Sequence, residues 1–594
     1  MTIDFRNINS VWASIFAETL KRLGLACVVI CPGSRSTPLA IAFARQSPSL
    51  EVISILDERS AAFFALGRAK ATGRPAAIVC TSGTAGANFY PAVIEAKESC
   101  VPLLLLTADR PPELRNCHSG QTVDQLKLYG TYPNWQAELA IPSPDMAMLA
   151  YLRQTIIHAW EKTLHPVPGA VHLNVPLRDP LAPLQEVEPL HAASLQFLQS
   201  QFQSERFFTH VPIQRLTSDT THHPYSFLLN EWLNSSQGII IAGVAQPQKP
   251  REYCHAIAHL SQTLKFPVLA EGLSPVRNHA DFNPNIISTY DLILRDRSLA
   301  KQLAPEVVIQ IGEMPTSKEL RNWLTDTLGQ KWVVDPSDRN LDPLHGRTTH
   351  LRVSIEELGR WSAPSGREWK KLENSPYLEL WLTAEAKVRA NVNQTLAPME
   401  ELFEGKTAWL LSQTLPSKTP IFIANSMPVR DVEFFWQPNS LGLQPFFNRG
   451  ANGIDGTLST ALGIAHRHQS SVMLTGDLAL LHDTNGFLIR NKFVGHLTIV
   501  LINNNGGGIF EMLPVAQFEP PFEEFFATPQ DIDFAQLCAT YSIEHELISS
   551  WKQLQDKLNP LPTQGIRVLE LRTNRKADAK WRKENLGKFI VFEA

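Results

Sequence analysis

One pattern recurs through the first third of the chain: a short apolar run, a turn rich in Gly, Ser, Thr or Asp, and a segment with helical periodicity. It occurs in "ACVVICPGSRSTPLAIAFARQ", "VISILDERSAAFFALGRAKATG" and "AAIVCTSGTAGANFYPAVIEAKES". Strands that alternate with helices are joined by crossover connections, which make neighbouring strands parallel. The pattern therefore predicts an α/β fold built on parallel sheets.

The strand-and-helix pattern starts again twice farther along the chain. A proline-rich segment after "GAVHLNVPL" predicts one boundary near residue 190, and the break around "RWSAPSGREW" predicts a second. Buried strands are expected in "GIIIAGVA", "FPVLAEG", "EVVIQIG" and "KWVVDPS", then in "PIFIANS", "SVMLTGD", "LTIVLINNN" and "IRVLELRT". Because 594 residues exceed what one hydrophobic core accommodates, we predict three doubly wound parallel-sheet domains, at residues 1–190, 191–362 and 363–594.

Composition and charge argue against two classes of function. The formal net charge of −4 disfavours nucleic acid as the main partner, and no stretch approaches the ~20 apolar residues of a membrane span. The start, "MTIDFRNINS", lacks the basic and apolar regions of a signal peptide, and the seven cysteines include no CxxC pair. We therefore expect a cytoplasmic protein with reduced thiols and with no nucleic-acid or membrane partner.

Asp477 and Asn504 each follow a predicted strand, in "SVMLTGD" and "LTIVLINNNGG". One helical segment between the strands makes them parallel, so both side chains are expected at the carboxyl edge of a sheet, where open α/β sheets bind ligands. A carboxylate, an amide oxygen and a carbonyl of the glycine run suit Mg²⁺, and the glycines let a phosphate approach the backbone. The alternative is an Asp helix cap and an unrelated Asn/Gly turn.

This arrangement resembles the GDG and NN signature of thiamine diphosphate enzymes, with Leu478 in place of the second glycine. The resemblance implies three α/β domains of the thiamine diphosphate-dependent decarboxylase type and a cofactor diphosphate held through Mg²⁺ or Mn²⁺. The implied metal ligands are Asp477, Asn504 and the Gly506 carbonyl, and the implied cofactor contacts also include Gly476 and Leu478.

The same resemblance requires a glutamate that hydrogen-bonds the aminopyrimidine ring of the cofactor, and Glu58 in "VISILDERSAAFFALG" is the candidate. It would promote the imino tautomer, which lets the cofactor deprotonate its own thiazolium carbon. Without the resemblance, Glu58 is simply a first-turn residue that complements a helix dipole. No histidine of the sequence fits a required general base.

Longer motifs narrow the resemblance and cover nearly the whole chain. "CPGSRSTPLA", "DERSAAFFALGRAKATGRPAAIVCTSGTAGANFYPAVIEA", "LTADRPPELR", "NRGANGIDGTLSTALGIA" and "NNNGGGIFEMLP" are similar to the 2-succinyl-5-enolpyruvyl-6-hydroxy-3-cyclohexene-1-carboxylate synthase family of menaquinone and phylloquinone biosynthesis. This family decarboxylates 2-oxoglutarate on thiamine diphosphate and adds the succinyl carbanion equivalent to isochorismate. The resemblance implies a homodimer or homotetramer. Glu58 would come from one subunit and the metal loop, residues 503–508, from its neighbour.

Both substrates are dicarboxylic acids, so their site needs fixed cations, preferably forked guanidiniums. Any one arginine of the matching motifs is, taken alone, more simply a surface residue. Two positions beside the motif residues, Gly120 and Glu319, depart from the family pattern. By the resemblance, the polar substrate contacts are Ser34, Arg35, Arg110, Gln121, Lys318, Ser426, Arg430 and Arg449.

Apolar residues are expected to shape the cavity. Ile454 in "NGIDG" resembles the bulky residue that holds the cofactor in its bent V conformation. Ile509, Phe510 and Leu513 would form an apolar wall after the metal loop. Ordinary core packing is the alternative for all four.

Three further signals are given no catalytic role. "CTSGTAGAN" is not a P-loop and is interpreted as a structural turn near the cofactor, "IIIAGVAQPQ" lacks GxGxxG, and the basic "RTNRKADAKWRKENLGK" is interpreted as a solvated helix or tail. Two other functions stay open on the sequence alone. One is another thiamine-dependent 2-oxoacid decarboxylase or carboligase, and the other is a catalytically silent metabolite-binding protein on the same scaffold.

Overall fold

A computed structural model describes residues 3–209, 211, 231–327, 329–361 and 375–590. The chain forms two compact units. The first comprises residues 1–218, 448–468 and 482–494, and the second comprises residues 219–447, 469–481 and 495–594. The domain boundary expected near residue 362 adjoins residues 362–374, which lie outside the described residues. Both expected boundaries therefore stay predictions.

The first unit contains a six-stranded parallel sheet. Its strands are β1 Cys27–Ile30, β2 Glu51–Ser54, β3 Ala76–Cys80, β4 Leu103–Asp109, β5 Trp135–Glu138 and β6 Ala170–Pro176. They are ordered β2-β1-β3-β4-β6-β5. The four central strands are buried along their whole length, as continuous apolar runs predict for parallel strands.

The second unit contains two more parallel sheets of six strands. The middle sheet has the order β12-β11-β10-β7-β8-β9, and the last sheet has the order β14-β13-β15-β16-β18-β17. Relative to chain order, the last sheet repeats the arrangement of the first. The strands are β7 Gly238–Ala242, β8 Val268–Ala270, β9 Ile286–Ile287, β10 Val307–Ile311, β11 Gln330–Val334, β12 Thr348–Leu351, β13 Pro420–Ile423, β14 Gln444–Phe446, β15 Ser471–Gly476, β16 His496–Asn503, β17 Glu544–Ile548 and β18 Gly565–Arg572.

Helices connect the strands in both units. Those of the first unit are Ile8–Arg22, Thr37–Ala44, Glu58–Thr72, Thr84–Ala87, Tyr90–Glu98, Met146–Leu164, Pro189–Gln201, Ser204–Phe208 and Thr457–Ala465. Those of the second unit are Pro250–Leu264, Tyr290–Ile293, Arg297–Gln302, Lys318–Thr325, Ile355–Trp361, Pro376–Leu396, Glu404–Thr414, Met427–Phe435, Asp477–Leu481, Phe534–Thr540, Trp551–Leu558 and Arg575–Asn585. None of the described helices is long and apolar enough to cross a membrane.

Two helices of the first unit pack backbone against backbone. A Cβ added at Gly67 would overlap the carbonyl oxygen of Thr460, and one added at Gly463 would overlap the carbonyl oxygen of Phe64. The helices Glu58–Thr72 and Thr457–Ala465 therefore approach closely only because glycine has no side chain at these two positions.

The predicted fold class is confirmed, with three parallel sheets. All seven cysteines fall within the described ranges, and none is joined in a disulfide.

Candidate active site

Asp477 lies at the carboxyl edge of the last sheet, where β15 runs directly into the helix Asp477–Leu481. Only 5% of the residue is exposed. Burial raises the pKa of Asp477 to about 6, although hydrogen bonds from the backbone N–H groups of Leu478 and Gly506 oppose the rise. The Gly506 N–H donates to Asp477 Oδ2 at 2.8 Å. The carboxylate is thus held against the glycine run, as the spacing predicts.

Asn504 follows β16, the strand next to β15 in the sheet. Its Nδ2 donates to Glu404 Oε1 at 2.6 Å. Its Oδ1 is buried and has no hydrogen-bond partner among the residues that the structure describes. A buried carbonyl oxygen without a partner costs free energy unless a ligand satisfies it, so the donor set beside Asp477 fits a hard cation such as Mg²⁺.

The glycine run is shaped by close backbone contacts. Gly506 has φ of +141°, and a Cβ there would lie 2.5 Å from the Ala527 carbonyl oxygen. A Cβ at Gly508 would lie 2.6 Å from Asn504 Nδ2. A larger residue at Gly506 would have to move the backbone, and one at Gly508 would have to displace the Asn504 amide. No group of three His, Cys, Asp or Glu side chains arranged for a metal occurs among the described residues.

Asn503 and Asn505, on either side of Asn504, hold the loop in place by hydrogen bonds to acidic side chains. Asn503 Nδ2 donates to Glu570 Oε1 at 2.7 Å. Asn505 adopts φ of +54°, and its Nδ2 donates to Asp531 Oδ1 at 2.7 Å. The three consecutive asparagines therefore bind three different acidic side chains.

The basic C-terminal segment is a helix, Arg575–Asn585, and its interpretation as solvated holds for one face only, where Lys576 and Lys580 are exposed. Asp578 is 6% exposed and Arg582 is 2% exposed. At the start of the helix, Arg575 donates to the Asn505 carbonyl oxygen and to Glu511 Oε1, each at 3.1 Å. One face of the helix thus packs polar side chains against the metal loop.

Glu58 begins the helix Glu58–Thr72, and the Asp57 side chain caps that helix by accepting from the Arg59 N–H. The Glu58 carboxylate is partly exposed. It accepts one long hydrogen bond, 3.4 Å from Asn88 Nδ2. The carboxylate therefore remains accessible, in contrast to a buried structural acid.

Arg35, Arg110 and Gln121 gather around one turn of the first unit. Arg110 Nη1 donates to Ser82 Oγ at 2.6 Å, and Gln121 Nε2 donates to the Ser82 carbonyl oxygen at 2.9 Å. Arg35 is buried, and burial, followed by the charge of Arg110, lowers its pKa. The "CTSGTAGAN" turn thus holds the predicted substrate residues, and Ser82 is a contact that sequence reasoning missed.

An open cavity of about 970 Å³ lies beside this turn. Gly83, Asp109, Arg115 and Gln121 are among the residues that line it. Gly83 has φ of +87°, and a Cβ there would lie 2.8 Å from Gln121 Cγ. Ser34 is exposed in the turn after β1.

Arg449 belongs to a loop of the first unit that Glu95 holds by its backbone. The Glu95 carboxylate accepts from the Gly450 N–H at 3.1 Å and from the Ala451 N–H at 2.8 Å. Glu95 is 2% exposed and gave no signal in the sequence. Farther along, Ile454 is partly buried.

Ser426 and Arg430 lie at the end of β13 in the second unit. Ser426 has φ of +72°, a strained conformation for a residue with a side chain. Arg430 Nη1 donates to the Ser426 carbonyl oxygen at 2.6 Å.

Lys318 is exposed at the start of the helix Lys318–Thr325, and Glu319 pairs with Arg297 at 3.0 Å. Glu319, which departs from the family pattern, therefore forms an ion pair with a neighbouring helix residue.

The expected apolar wall follows the metal loop. Ile509 and Phe510 are partly buried in a 3₁₀ turn, Gly508–Met512. The Phe510 ring lies edge-on to Phe526, with centroids 5.9 Å apart. Leu513 is 47% exposed. The described residues thus bring Arg110 and Gln121 together at Ser82 in the first unit. In the second unit they bring Asp477 and Gly506 together, beside Asn504.

Family models match two parts of the chain. Residues 12–128 match the N-terminal TPP-binding domain of thiamine pyrophosphate enzymes. Residues 195–423 match the middle domain of thiamine pyrophosphate enzymes.

Curated relatives match the chain over its full length. A 2-succinyl-5-enolpyruvyl-6-hydroxy-3-cyclohexene-1-carboxylate synthase of Nostoc sp. (strain PCC 7120) is 70% identical over 594 residues, which cover 100% of this chain and 99% of the relative. A synthase of the same name from Gloeothece citriformis is 63% identical over 591 residues and 100% of both chains.

Solved structures share the fold at low identity. The benzoylformate decarboxylase of Polynucleobacter necessarius has a TM-score of 0.67 and 16% identity, covering 95% of this chain and 98% of that one. The thiamine diphosphate-dependent 4-hydroxybenzoylformate decarboxylase of Rhodococcus jostii RHA1 has the same TM-score and identity, with 95% and 99% covered. This similarity concerns the fold alone.

Proposed function

Because the chain belongs to the 2-succinyl-5-enolpyruvyl-6-hydroxy-3-cyclohexene-1-carboxylate synthase family, we propose that the polar clusters of its two units bind the cofactor and substrates of that reaction. The chain is a thiamine diphosphate-dependent enzyme. It decarboxylates 2-oxoglutarate and adds the succinyl carbanion equivalent to isochorismate with release of CO₂. The cofactor, when bound, supplies the carbon nucleophile and the electron sink for this chemistry.

The metal loop holds the diphosphate end. Asp477, the Asn504 amide oxygen and the Gly506 carbonyl are the ligands of Mg²⁺ or Mn²⁺, with Gly476 and Leu478 beside the diphosphate. The observation that carries this assignment is the buried Asn504 Oδ1 without a protein partner. Hard oxygen donors with an open position suit a cation that keeps waters and phosphate oxygens in its coordination shell.

Glu58 serves the aminopyrimidine end. A carboxylate with only one long hydrogen bond is available to bind the ring and to hold a proton on its oxygen. Ile454 supports the bent conformation of the cofactor. Glu58 is thus the catalytic acid–base residue.

The guanidiniums bind the substrate carboxylates. Arg110 is oriented by Ser82, and Arg35 has a buried, partly desolvated guanidinium, where a charge–charge contact is worth more than in water. The apolar wall excludes water from the reacting carbon. Its residues are Ile509, Phe510 and Leu513, and the remaining polar contacts are Ser34, Gln121, Lys318, Ser426, Arg430 and Arg449.

The active form is a homodimer or homotetramer, with Glu58 from one subunit and the metal loop from its neighbour. The product serves menaquinone or phylloquinone biosynthesis in the cytoplasm. The three domains span residues 1–190, 191–362 and 363–594.

One assay tests the function. The protein is mixed with thiamine diphosphate, Mg²⁺, 2-oxoglutarate and isochorismate, and isochorismate absorbance and CO₂ are followed together. We expect isochorismate to be consumed in step with CO₂ release, and only when both cofactors are present. In a parallel mixture, pyruvate replaces 2-oxoglutarate. Release of CO₂ from pyruvate without isochorismate consumption would instead identify another carboligase.

A further inference from the structure

The orientation of the Asn504 amide is set by a residue from another part of the chain. The oxygen and nitrogen ends of an amide have almost the same shape, so hydrogen bonds decide which end faces which way. Glu404 Oε1 accepts from Asn504 Nδ2 at 2.6 Å. Both oxygens of Glu404 act as acceptors, since Oε1 also accepts from Thr573 Oγ1 at 3.4 Å and Oε2 accepts from Arg582. The NH₂ end of Asn504 therefore faces Glu404, and Oδ1 faces elsewhere.

We propose that Glu404 is a positioning residue, which fixes the Asn504 amide so that its oxygen, and not its NH₂ group, is presented to the metal. This inference rests on the proposed metal site. A reversed amide would point two N–H donors at a cation and would oppose binding. The buried Oδ1 without a protein partner is the oxygen that this contact leaves available.

Glu404 is itself held in place by charged groups. It is 2% exposed at the start of the helix Glu404–Thr414. Its Oε2 accepts from Arg582 Nη2 at 2.8 Å, and its backbone N–H donates to Asp578 Oδ2 at 3.1 Å. Arg582 also pairs with Asp431 at 2.8 Å. A buried carboxylate is tolerated only with such partners, and a satisfied network is rigid.

The partners come from one helix face. Asp578 and Arg582 are four residues apart on the helix Arg575–Asn585, so their side chains lie on the same side. Arg575 of that helix donates to the carbonyl oxygen of Asn505, the residue after Asn504. The helix therefore supports the metal loop directly at Asn505 and, through Glu404, at Asn504.

A purely structural ion pair between Glu404 and Arg582 would explain the burial of Glu404 but not the orientation of the Asn504 amide. The variant Glu404→Gln separates the two roles. If the glutamine oxygen accepts from Arg582, its NH₂ group must face Asn504, and the Asn504 amide must turn its oxygen toward it. We expect Mn²⁺ affinity in the presence of thiamine diphosphate to fall about 10- to 100-fold, as for other residues that orient metal ligands.

A double variant provides the rescue. In Glu404→Gln with Asn504→Asp, the glutamine oxygen again accepts from Arg582, its NH₂ group donates to the new carboxylate, and the second carboxylate oxygen faces the metal. Thr573 Oγ1, which donates to Glu404 Oε1 at 3.4 Å in the original protein, can instead accept from the glutamine NH₂ group. Because the two substituted side chains are again paired, we expect Mn²⁺ affinity to return to within about fivefold of the original protein. A merely structural role for Glu404 predicts no such recovery.

Two control variants make the outcome decisive, with Mn²⁺ binding followed by electron paramagnetic resonance on the full chain. Glu385→Gln removes another buried carboxylate, which accepts from the Thr289 N–H at 2.8 Å, and should leave Mn²⁺ affinity unchanged. Asn504→Ala should lower it. Unchanged binding in Asn504→Ala would refute the metal site, whereas lowered binding in Asn504→Ala with unchanged binding in Glu404→Gln would refute only the role of Glu404.

The double variant also decides if Glu404→Gln alone does not fold. Circular dichroism and thermal melting report folding independently of the metal. A double variant that folds and binds Mn²⁺ supports the proposal. One that folds without binding, or that fails to fold although all its groups are paired, overturns it.

Discussion

Asp477 and Glu58 occupy the same kind of position in two sheets, at the first turn of a helix that follows a parallel strand, yet their surroundings differ. Asp477 follows a central strand, is 5% exposed and accepts a 2.8 Å hydrogen bond from a backbone N–H. Glu58 follows an edge strand, is partly exposed and accepts a single 3.4 Å hydrogen bond. Position in the fold thus brings each carboxylate to the carboxyl edge of a sheet. Burial and hydrogen bonding distinguish the buried acid that we propose as a metal ligand from the accessible acid that we propose to exchange a proton.

The largest effect expected from this contrast is at Glu58. Glu58→Gln keeps the shape but cannot exchange a proton, so we expect turnover to fall about 10³-fold. Cofactor affinity should change only a few-fold, because the metal loop is untouched. Steady-state kinetics and calorimetric titration with thiamine diphosphate measure the two quantities.

Glu252→Gln is the matched control for the alternative role of Glu58. Glu252 is also an acid in the first turn of a helix, so both changes remove a similar helix-dipole contact. Glu252→Gln should leave turnover unchanged. Equal and small losses in the two variants would show that Glu58 serves only its helix.

The next effect concerns the rigidity of the metal loop. In Gly506→Ala the new Cβ meets the Ala527 carbonyl at 2.5 Å, so the loop must shift, and we expect metal and cofactor affinity to fall about 10- to 100-fold. Gly565→Ala has a similarly unfavourable φ of +86° but open space around it. It should lose about 1 kcal/mol of stability with normal cofactor binding. Calorimetric titration of both variants checks this difference, and equal affinities would show that the loop is compliant.

A pH effect is expected in the first unit. Burial lowers the pKa of His172 to about 4, below the ~6.5 of an exposed histidine. Between these values the unfolded chain binds a proton that the folded chain does not, so stability is lost as the pH falls. The loss should be about 2 kcal/mol between pH 7 and pH 5.

Hydrogen exchange in β4 and β6 measures this local stability, since His172 Nε2 lies 2.7 Å from Thr107 Oγ1 across these strands. His172→Gln should show a smaller decrease over the same pH range. Identical pH profiles for the two proteins would remove His172 as the cause.

The smallest effect is at the substrate arginines. Arg110→Lys keeps the charge but loses the fork that Ser82 orients, so KM for 2-oxoglutarate should rise about tenfold. Arg178→Lys, on an exposed arginine paired with Glu113, is the control and should leave KM unchanged. A KM unaffected in both would exclude Arg110 from the substrate site.

Much of the fold was predictable because its central strands are continuous apolar runs. The strands for which no prediction was made are β5, β9, β12, β14 and β17. β9 has only two residues, and in β17 four exposed or partly buried positions precede one buried residue. Such short or half-solvated segments at sheet edges do not carry the apolar signal on which strand prediction depends.

The candidate site was predictable only where its residues follow strands. Asp477 and Asn504 stand directly after apolar runs, so topology brings them to one sheet edge. Glu404 and Arg582 lie far from Asn504 in the sequence, and no local pattern links the three residues. The charged residues of the helix Arg575–Asn585 favoured an exposed helix, because the sequence does not show that Arg582 pairs with a buried glutamate.

The glycine contact between the helices Glu58–Thr72 and Thr457–Ala465 acts at a distance from the chemistry. Gly67 lies nine positions along the helix from Glu58, about 13 Å at the rise of an α-helix. A single methyl group at Gly67 or Gly463 would force the two helices apart. The Glu58 carboxylate, at the start of the first helix, would then be displaced. The position of Glu58, the proposed catalytic residue, therefore depends on two helix positions that carry no side chain.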